Sequence, residues 1–239
     1  KPISAGNCPT RTADLDGCGQ KRQFFITINA GGERVWVYDC DLTPRLEIAV
    51  PSGCGHGQHV SVCDVDSDGK DEFFAGCALL DGTGAVRWRQ EEIVARLKCP
   101  NGGHVDASVM GFFDGPDLPP TVHLASSSAG HIVCDARSGE ILVVHPQGHV
   151  QTCATGRVVP GAAGTQVIAS DRWGGYGVTG IYAGDGRRLS RFQPGFVCQG
   201  AKALSWAAGA LQHLLVCDGQ GWRGIYDHLG RRLLDLEPL

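Results

Sequence analysis

A unit of roughly 45 residues occurs five times along the chain, a period that belongs to propellers and solenoids. Each copy holds an apolar run that reads as a second strand: Gln23-Phe24-Phe25-Ile26-Thr27, Glu72-Phe73-Phe74-Ala75, Thr121-Val122-His123-Leu124-Ala125, Thr165-Gln166-Val167-Ile168-Ala169 and Gln212-His213-Leu214-Leu215-Val216. A shorter strand is expected ahead of each, over 11–15, 59–65, 104–110, 149–154 and 202–206. A hairpin follows each run. Its turn glycine is read as Gly32, Gly84, Gly139, Gly186 or Gly230, and its far arm alternates with period two, as in Val35-Trp36-Val37-Tyr38 or Ile141-Leu142-Val143-Val144. Four antiparallel strands per unit make a propeller blade. The expected fold is therefore all-β, a single β-propeller domain over 1–239 of about five four-stranded blades. Approximate blades are 8–50, 54–100, 103–148, 149–198 and 199–239, either closing by packing alone or forming part of a larger ring. Only Glu91–Lys98 reads as helical.

Composition narrows the setting. The 21 basic and 25 acidic residues are mixed along the chain, so no basic stripe offers itself to nucleic acid, and no apolar stretch suits membrane insertion. Eleven cysteines without a CxxC pair point to an oxidising space, which places the protein as extracellular or secreted. The opening at Lys1, with no apolar leader, fits a processed or excised chain. Cys8, Cys54, Cys99 and Cys198 are the disulfide candidates. The odd count leaves at least one thiol unpaired, and Cys63, Cys77, Cys134, Cys153 and Cys217 also read as small buried hydrophobes.

Asp64-Val65-Asp66-Ser67-Asp68-Gly69-Lys70-Asp71-Glu72 sets carboxylates at alternate positions around a glycine turn, which lets one loop wrap hard oxygens around a cation. Structural Ca²⁺ is the expected cofactor, with side-chain ligands Asp64, Asp66, Asp68 and Glu72 and the carbonyl of Lys70. A solvated acidic turn is the plain alternative. Asp14-Leu15-Asp16-Gly17-Cys18 in the first unit is a weakened copy, expected to bind little.

The Asp loop, the Leu80-Asp81-Gly82-Thr83-Gly84 hairpin and the Asp135-Ala136-Arg137-Ser138-Gly139-Glu140-Ile141 hairpin resemble rhamnogalacturonan lyase propellers, with Tyr182–Gly186 and Tyr226–Gly230 similar to later hairpins. The calcium motif is also similar to integrin-like Asp-loop repeats. The lyase resemblance implies a secreted, calcium-binding, eight-bladed enzyme that cleaves pectin backbones by β-elimination. Five blades are visible here.

The first strands open with His59, His104 and His149, one per blade, and Lys202 takes a comparable place in the fifth. First strands line a propeller's channel, so these groups are expected near its mouth, opposite the Asp loop. The loops on that face bring Arg172, Trp173 and Tyr176, and Trp222 with Arg223; aromatic rings stack on sugars and Arg pairs with uronate carboxylates. A lyase site would use His104 or His149 as base, Arg172 as neutraliser, and Tyr176 or Lys202 as acid, with His59, Trp173, Trp222 and Arg223 binding substrate. The three histidines also read as local hydrogen-bonding groups, or as ligands of zinc or copper. The expected function is an extracellular carbohydrate-recognising propeller, with a lyase acting on acidic polysaccharide as the catalytic form. The alternative is a non-catalytic structural or adhesion propeller that meets other extracellular protein chains.

Overall fold

The computed structural model describes residues 10–21, 23–28, 34–51, 59–97, 104–173, 177–198, 200–206, 208–209, 211–218 and 221–236, with backbone alone at 24–28, 94, 97, 173 and 222. Five four-stranded antiparallel sheets follow one another along the chain. The first holds β1 (Thr10–Ala13), β2 (Gln23–Ile28), β3 (Arg34–Tyr38) and β4 (Pro44–Ala49); the second holds β5 (Ser61–Cys63), β6 (Glu72–Ala75), β7 (Ala78–Leu80) and β8 (Val86–Arg89). After α1 (Glu91–Leu97) come β9 (Ala107–Gly111), β10 (Thr121–Ala125), β11 (His131–Asp135) and β12 (Ile141–His145). The fourth sheet is β13 (His149–Gly156), β14 (Gln166–Trp173), β15 (Thr179–Tyr182) and β16 (Arg188–Phe192); the fifth is β17 (Gly200–Leu204), β18 (His213–Asp218), β19 (Gly221–Tyr226) and β20 (Arg232–Asp235). Each sheet is a blade, and the fold is a β-propeller-type arrangement of five.

The second strands β6 and β10, covered on both faces, are buried at every position. That double covering is why they read as continuous apolar runs instead of alternating ones. The outer strand β20, by contrast, is exposed throughout.

Neighbouring blades meet through one repeated device. The turn between third and fourth strands carries a glycine at positive φ, and a Cβ there would lie 2.9 Å from Ile48 at Gly84, 2.6 Å from Trp88 at Gly139, 2.4 Å from Val143 at Gly186 and 2.5 Å from Phe192 at Gly230. Each glycine thus seats flat on the outer strand of the preceding blade. Polar clasps flank the seats: Gln90 Nε2 donates to the Gly139 carbonyl at 2.7 Å, His145 Nε2 to Gly186 at 2.8 Å, and Ser190 Oγ to the His228 carbonyl at 2.5 Å.

The first blade corrects the sequence reading. Its Val35–Tyr38 arm is the third strand, not the outer one, and Gly32 lies outside the described residues between β2 and β3. The equivalent outer turn is 39–43, where Leu42 takes φ 68 and is 71% exposed. A leucine is tolerated there because its side chain faces solvent.

A buried imidazole stack joins the third and fourth blades. His123 Nε2 donates to the Gly184 carbonyl at 3.0 Å, which leaves Nδ1 to accept from His131 Nε2 at 3.1 Å. Tyr182 packs on His131 and His145 with ring centroids 4.2 and 4.7 Å away, and its hydroxyl donates to Gln147. Burial first, then the neighbouring imidazoles, holds His131 well below its ordinary value; burial lowers His123 to about 4.

Gly139→Ala is expected to cost about 2–4 kcal/mol in chemical denaturation, from the positive φ and the contact with Trp88. Leu42→Gly, by contrast, is expected to change stability by less than about 1 kcal/mol. Because both imidazoles are neutral when folded and charge near pH 6.5 when unfolded, their stabilisation is complete above about 6.5 and is lost as pH falls, for His123 down to about 4. Melting temperature should fall across that window, and less steeply in His123→Gln.

Candidate functional site

Two polar constellations lie at opposite ends of the first strands. At the far ends, where β5 turns into β6, Asp64 folds its own loop by accepting the amides of Asp68 at 3.1 Å and Gly69 at 2.9 Å. The turn needs left-handed backbone at Ser67 and Gly69. Asp64, Asp66 and Glu72 bring one carboxylate oxygen each within 4.8 Å of one another. Asp68 Oδ1 instead accepts the Lys70 amide at 2.8 Å. Arg87 reaches across from β8, pairing with Asp66 at 2.5 Å and Glu72 at 3.2 Å. Burial pushes the Glu72 carboxyl up to about 6, the Val65 amide opposing and Asp66 adding to the rise. This is the one group of three metal-competent acids or thiols or imidazoles among the described residues. Three hard oxygens on a rigid turn suit calcium better than a softer metal.

The first blade repeats the loop with altered donors. Asp14 Oδ1 accepts the Cys18 amide at 3.0 Å, and Arg45 pairs with Asp16 at 2.5 Å as Arg87 does with Asp66. Gln23 stands where the second blade has Glu72: it accepts the Leu15 amide at 3.1 Å, as Glu72 accepts that of Val65 at 3.0 Å and Gln166 that of Val158 at 2.8 Å. The acceptor at the head of the second strand is thus a scaffold feature, and only the second blade makes it a carboxylate within an acidic cluster.

At the near ends, residues on or just ahead of the first strands of all five blades line one cavity of about 460 Å³, among them Arg11, His59, Ser108, Gln151, Cys153 and Lys202. Beside it lies a carboxylate the sequence reading missed. Asp106 is 2% exposed. His104 Nε2 lies 2.9 Å from its Oδ1, and His149 Nε2 lies 3.4 Å from its Oδ2. Ser127 Oγ donates to Oδ2 at 2.7 Å, and Gln151 Nε2 donates to Oδ1. Ser127 reaches it from the turn between β10 and β11, where it adopts φ 47. Burial lowers His149 from its ordinary value; Asp106 opposes that, while His104 and Arg172 add to it. His59 is lowered by burial and by Arg11, against Asp106.

The structure therefore brings His104 and His149 together around Asp106, with Arg172 close enough to act on His149, and sets His59 and Lys202 on the cavity wall. The three imidazoles do not gather their nitrogens as a metal site would. Trp173 pairs with His149 in the β13–β14 register, and Trp222 with Cys217 in the fifth blade. Arg223 is tied within its blade to Asp218 at 2.5 Å. Tyr176 lies outside the described residues, as do Cys8, Cys54 and Cys99. Cys198 is a buried free thiol, as are Cys77 and Cys134, so the expected disulfide at Cys198 is not formed. Burial pushes its thiol up to about 11.

The family described as rhamnogalacturonan lyase family 11, C-terminal domain, matches residues 29–220. The chain belongs to this family. Within rhamnogalacturonan lyase family 11 it is similar to the rhamnogalacturonan exolyase YesX of Bacillus subtilis strain 168, 29% identical over 198 residues, covering 79% of this chain and 29% of that protein. The crystal structure of exotype YesX superposes with a TM-score of 0.66 at 25% identity, covering 91% of this chain and 37% of that one. The Bacillus licheniformis rhamnogalacturonan lyase PL11 gives 0.61 at 21% identity, covering 86% and 34%. BamB from Moraxella catarrhalis, at 0.59 and 13% identity over 91% of this chain and 61% of that one, shares the fold alone. The chain thus spans about a third of the length of these lyases.

Glu72→Gln keeps the acceptor that Gln23 and Gln166 supply in their blades, so it is expected to leave stability within about 1 kcal/mol. Glu72→Ala orphans the buried Val65 amide and should cost about 1–3 kcal/mol in denaturant melts.

Proposed function

We propose that this domain contributes the carbohydrate site of an extracellular lyase that cleaves acidic polysaccharide, a galacturonate-containing pectin backbone, by β-elimination. The observation that carries this reading is the convergence of all five blades on one cavity, with Arg11 and Lys202 on its wall, and beside it a buried carboxylate bonded to His104 with His149 3.4 Å away. Arg11, Lys202 or Arg172 neutralises the uronate carboxylate, which acidifies the C5 proton. An imidazole of His149 or His104 removes that proton. The electron pair left at C5 forms the C4–C5 double bond, the C4–O bond breaks, and the leaving oxygen takes a proton from Lys202 or Tyr176. Burial keeps His149 neutral at physiological pH, the state a base requires.

Ca²⁺ at Asp64, Asp66 and Glu72, joined by Asp68 and the Lys70 carbonyl, fits the reading as a structural ion on the opposite face. An ion held there would supply positive charge to a cluster that Arg87, paired with Asp66 and Glu72, covers only in part.

The test is the ultraviolet absorbance of a newly formed unsaturated uronate, followed on rhamnogalacturonan and homogalacturonan with calcium present. Absorbance should rise on rhamnogalacturonan and be abolished in His149→Ala; a folded protein that produces none on any acidic glycan contradicts the catalytic reading. Calcium at about 100 times its dissociation constant should stabilise the wild type by about 3 kcal/mol and Glu72→Gln far less, read from melting temperatures.

A further inference from the structure

We propose that the fifth blade carries a second, non-catalytic sugar site on the face opposite the cavity, where an acidic glycan stacks on Trp206 and pairs its uronate carboxylate with Arg231. The choice of galacturonate as the acid rests on the lyase reading; the arrangement of groups does not. The site arises where the fifth blade departs from the others. The last residue of a first strand pairs with the residue that opens the second strand: Ala13 with Gln23, Cys63 with Glu72, Gly156 with Gln166 and Leu204 with His213. Gln23, Glu72 and Gln166 use that place to accept an amide of their own loop. His213 accepts none there, and its buried Nδ1 has no partner among the described residues. Its ring meets Trp206 instead, two residues past β17, with planes at 82° and centroids 5.8 Å apart. A perpendicular contact of this kind covers at most one face of an indole. Trp206 is accordingly 44% exposed, the one exposed aromatic among the described side chains.

The loop that presents the indole is tethered. Gln212 Nε2 donates to Ser205 Oγ at 3.3 Å, and Gln212 is itself bound to the fourth blade: its amide donates to the Arg157 carbonyl at 2.7 Å, and its Oε1 accepts the Arg157 amide at 3.0 Å. A held, open indole offers the flat surface on which the apolar face of a pyranose stacks. His213 and Gln212 also line a cleft of about 230 Å³ between the fourth and fifth blades, together with Val158, Leu211, Asp227 and Arg231. Asp227 uses its carboxylate within its own turn, Oδ1 accepting the amides of Leu229 and Arg231 at 2.9 Å each and Oδ2 accepting Arg231 Nε at 2.5 Å. Arg231 is thereby fixed through Nε, while its side chain remains 74% exposed. The edge formed by its two terminal nitrogens has no partner among the described residues and suits a carboxylate in a bidentate pair. Stacking on one side of His213 and charge pairing on the other select a sugar that carries an acid. Because the site faces away from the cavity, it holds a different stretch of the polymer, and the two together favour long chains over short ones.

The test is a titration of a rhamnogalacturonan oligosaccharide, and of the same oligosaccharide with its carboxyl groups reduced, into the intact isotope-labelled protein, followed by NMR. The Trp206 indole N–H and the Arg231 Nε–H should shift and saturate together with the acidic sugar. Trp206→Ala, at an exposed position, should abolish the saturable shift at Arg231. Arg231→Gln should weaken binding at Trp206 about tenfold, to the level of the carboxyl-reduced sugar on the wild type. Equal affinity for the acidic and reduced sugars at Trp206, or affinity unchanged in Arg231→Gln, overturns the proposal. Shifts around the cavity alone overturn it as well and leave the lyase reading standing. Shifts at Trp206 and Arg231 with none around the cavity uphold the second site and contradict the lyase reading, and shifts at neither place overturn both.

Discussion

The structure depends on a glycine with no side chain pressed against the blade before it. Gly84, Gly139, Gly186 and Gly230 each sit where any Cβ would collide with an apolar side chain of the preceding outer strand, at a φ that other residues adopt at a cost. This single contact sets the spacing and tilt of successive blades. Polar clasps from Gln90, His145 and Ser190 then lock rotation about it. Blades arranged this way converge with their first strands inward, and that convergence makes the cavity. The site is therefore a product of blade-to-blade packing, not of any one loop.

Two faces of the same arc have different chemistry for a physical reason. Where first strands end, the chain turns into the second strands, and the turns of the first, second and fourth blades carry an acceptor, Gln23, Glu72 or Gln166, for an amide they would otherwise orphan. Acidic side chains on that tight turn stiffen it and, in the second blade, gather three carboxylates. Where first strands begin, His59, Arg11 and Lys202 line a shared cavity, and His104 and His149 flank Asp106 beside it. The buried Asp106 balances this basic wall. The proposed chemistry follows that division, with a stiffening loop on one face and the proposed proton-transfer site on the other.

Repetition made the fold legible in the sequence. Five apolar runs at one period announce five blades, because every copy faces the same packing problem and solves it with the same pattern. The same regularity placed His59, His104 and His149 on equivalent strands. What repetition conceals is what one copy does differently. Asp106 occurs in one blade alone, two residues past a histidine, and its depth follows from Ser127 and Gln151 folding over it. Leu42 holds the left-handed turn position that glycine holds in the other blades, so the glycine pattern places the first blade's outer turn one strand early. Arg87, which caps the acidic cluster from a different strand, leaves no local signal. Cysteine spacing suggested bridges, whereas burial shows Cys198 packed as a small apolar group.

The central claim is that sugar binds where the first strands converge. The most direct measurement is NMR mapping of a rhamnogalacturonan oligosaccharide titrated into the isotope-labelled protein, with His149→Ala as a folded comparison. The account predicts perturbations at Arg11, His59, His149, Gln151 and Lys202 that saturate together. Perturbations confined to the Asp64–Glu72 face or to the outer strands would contradict it.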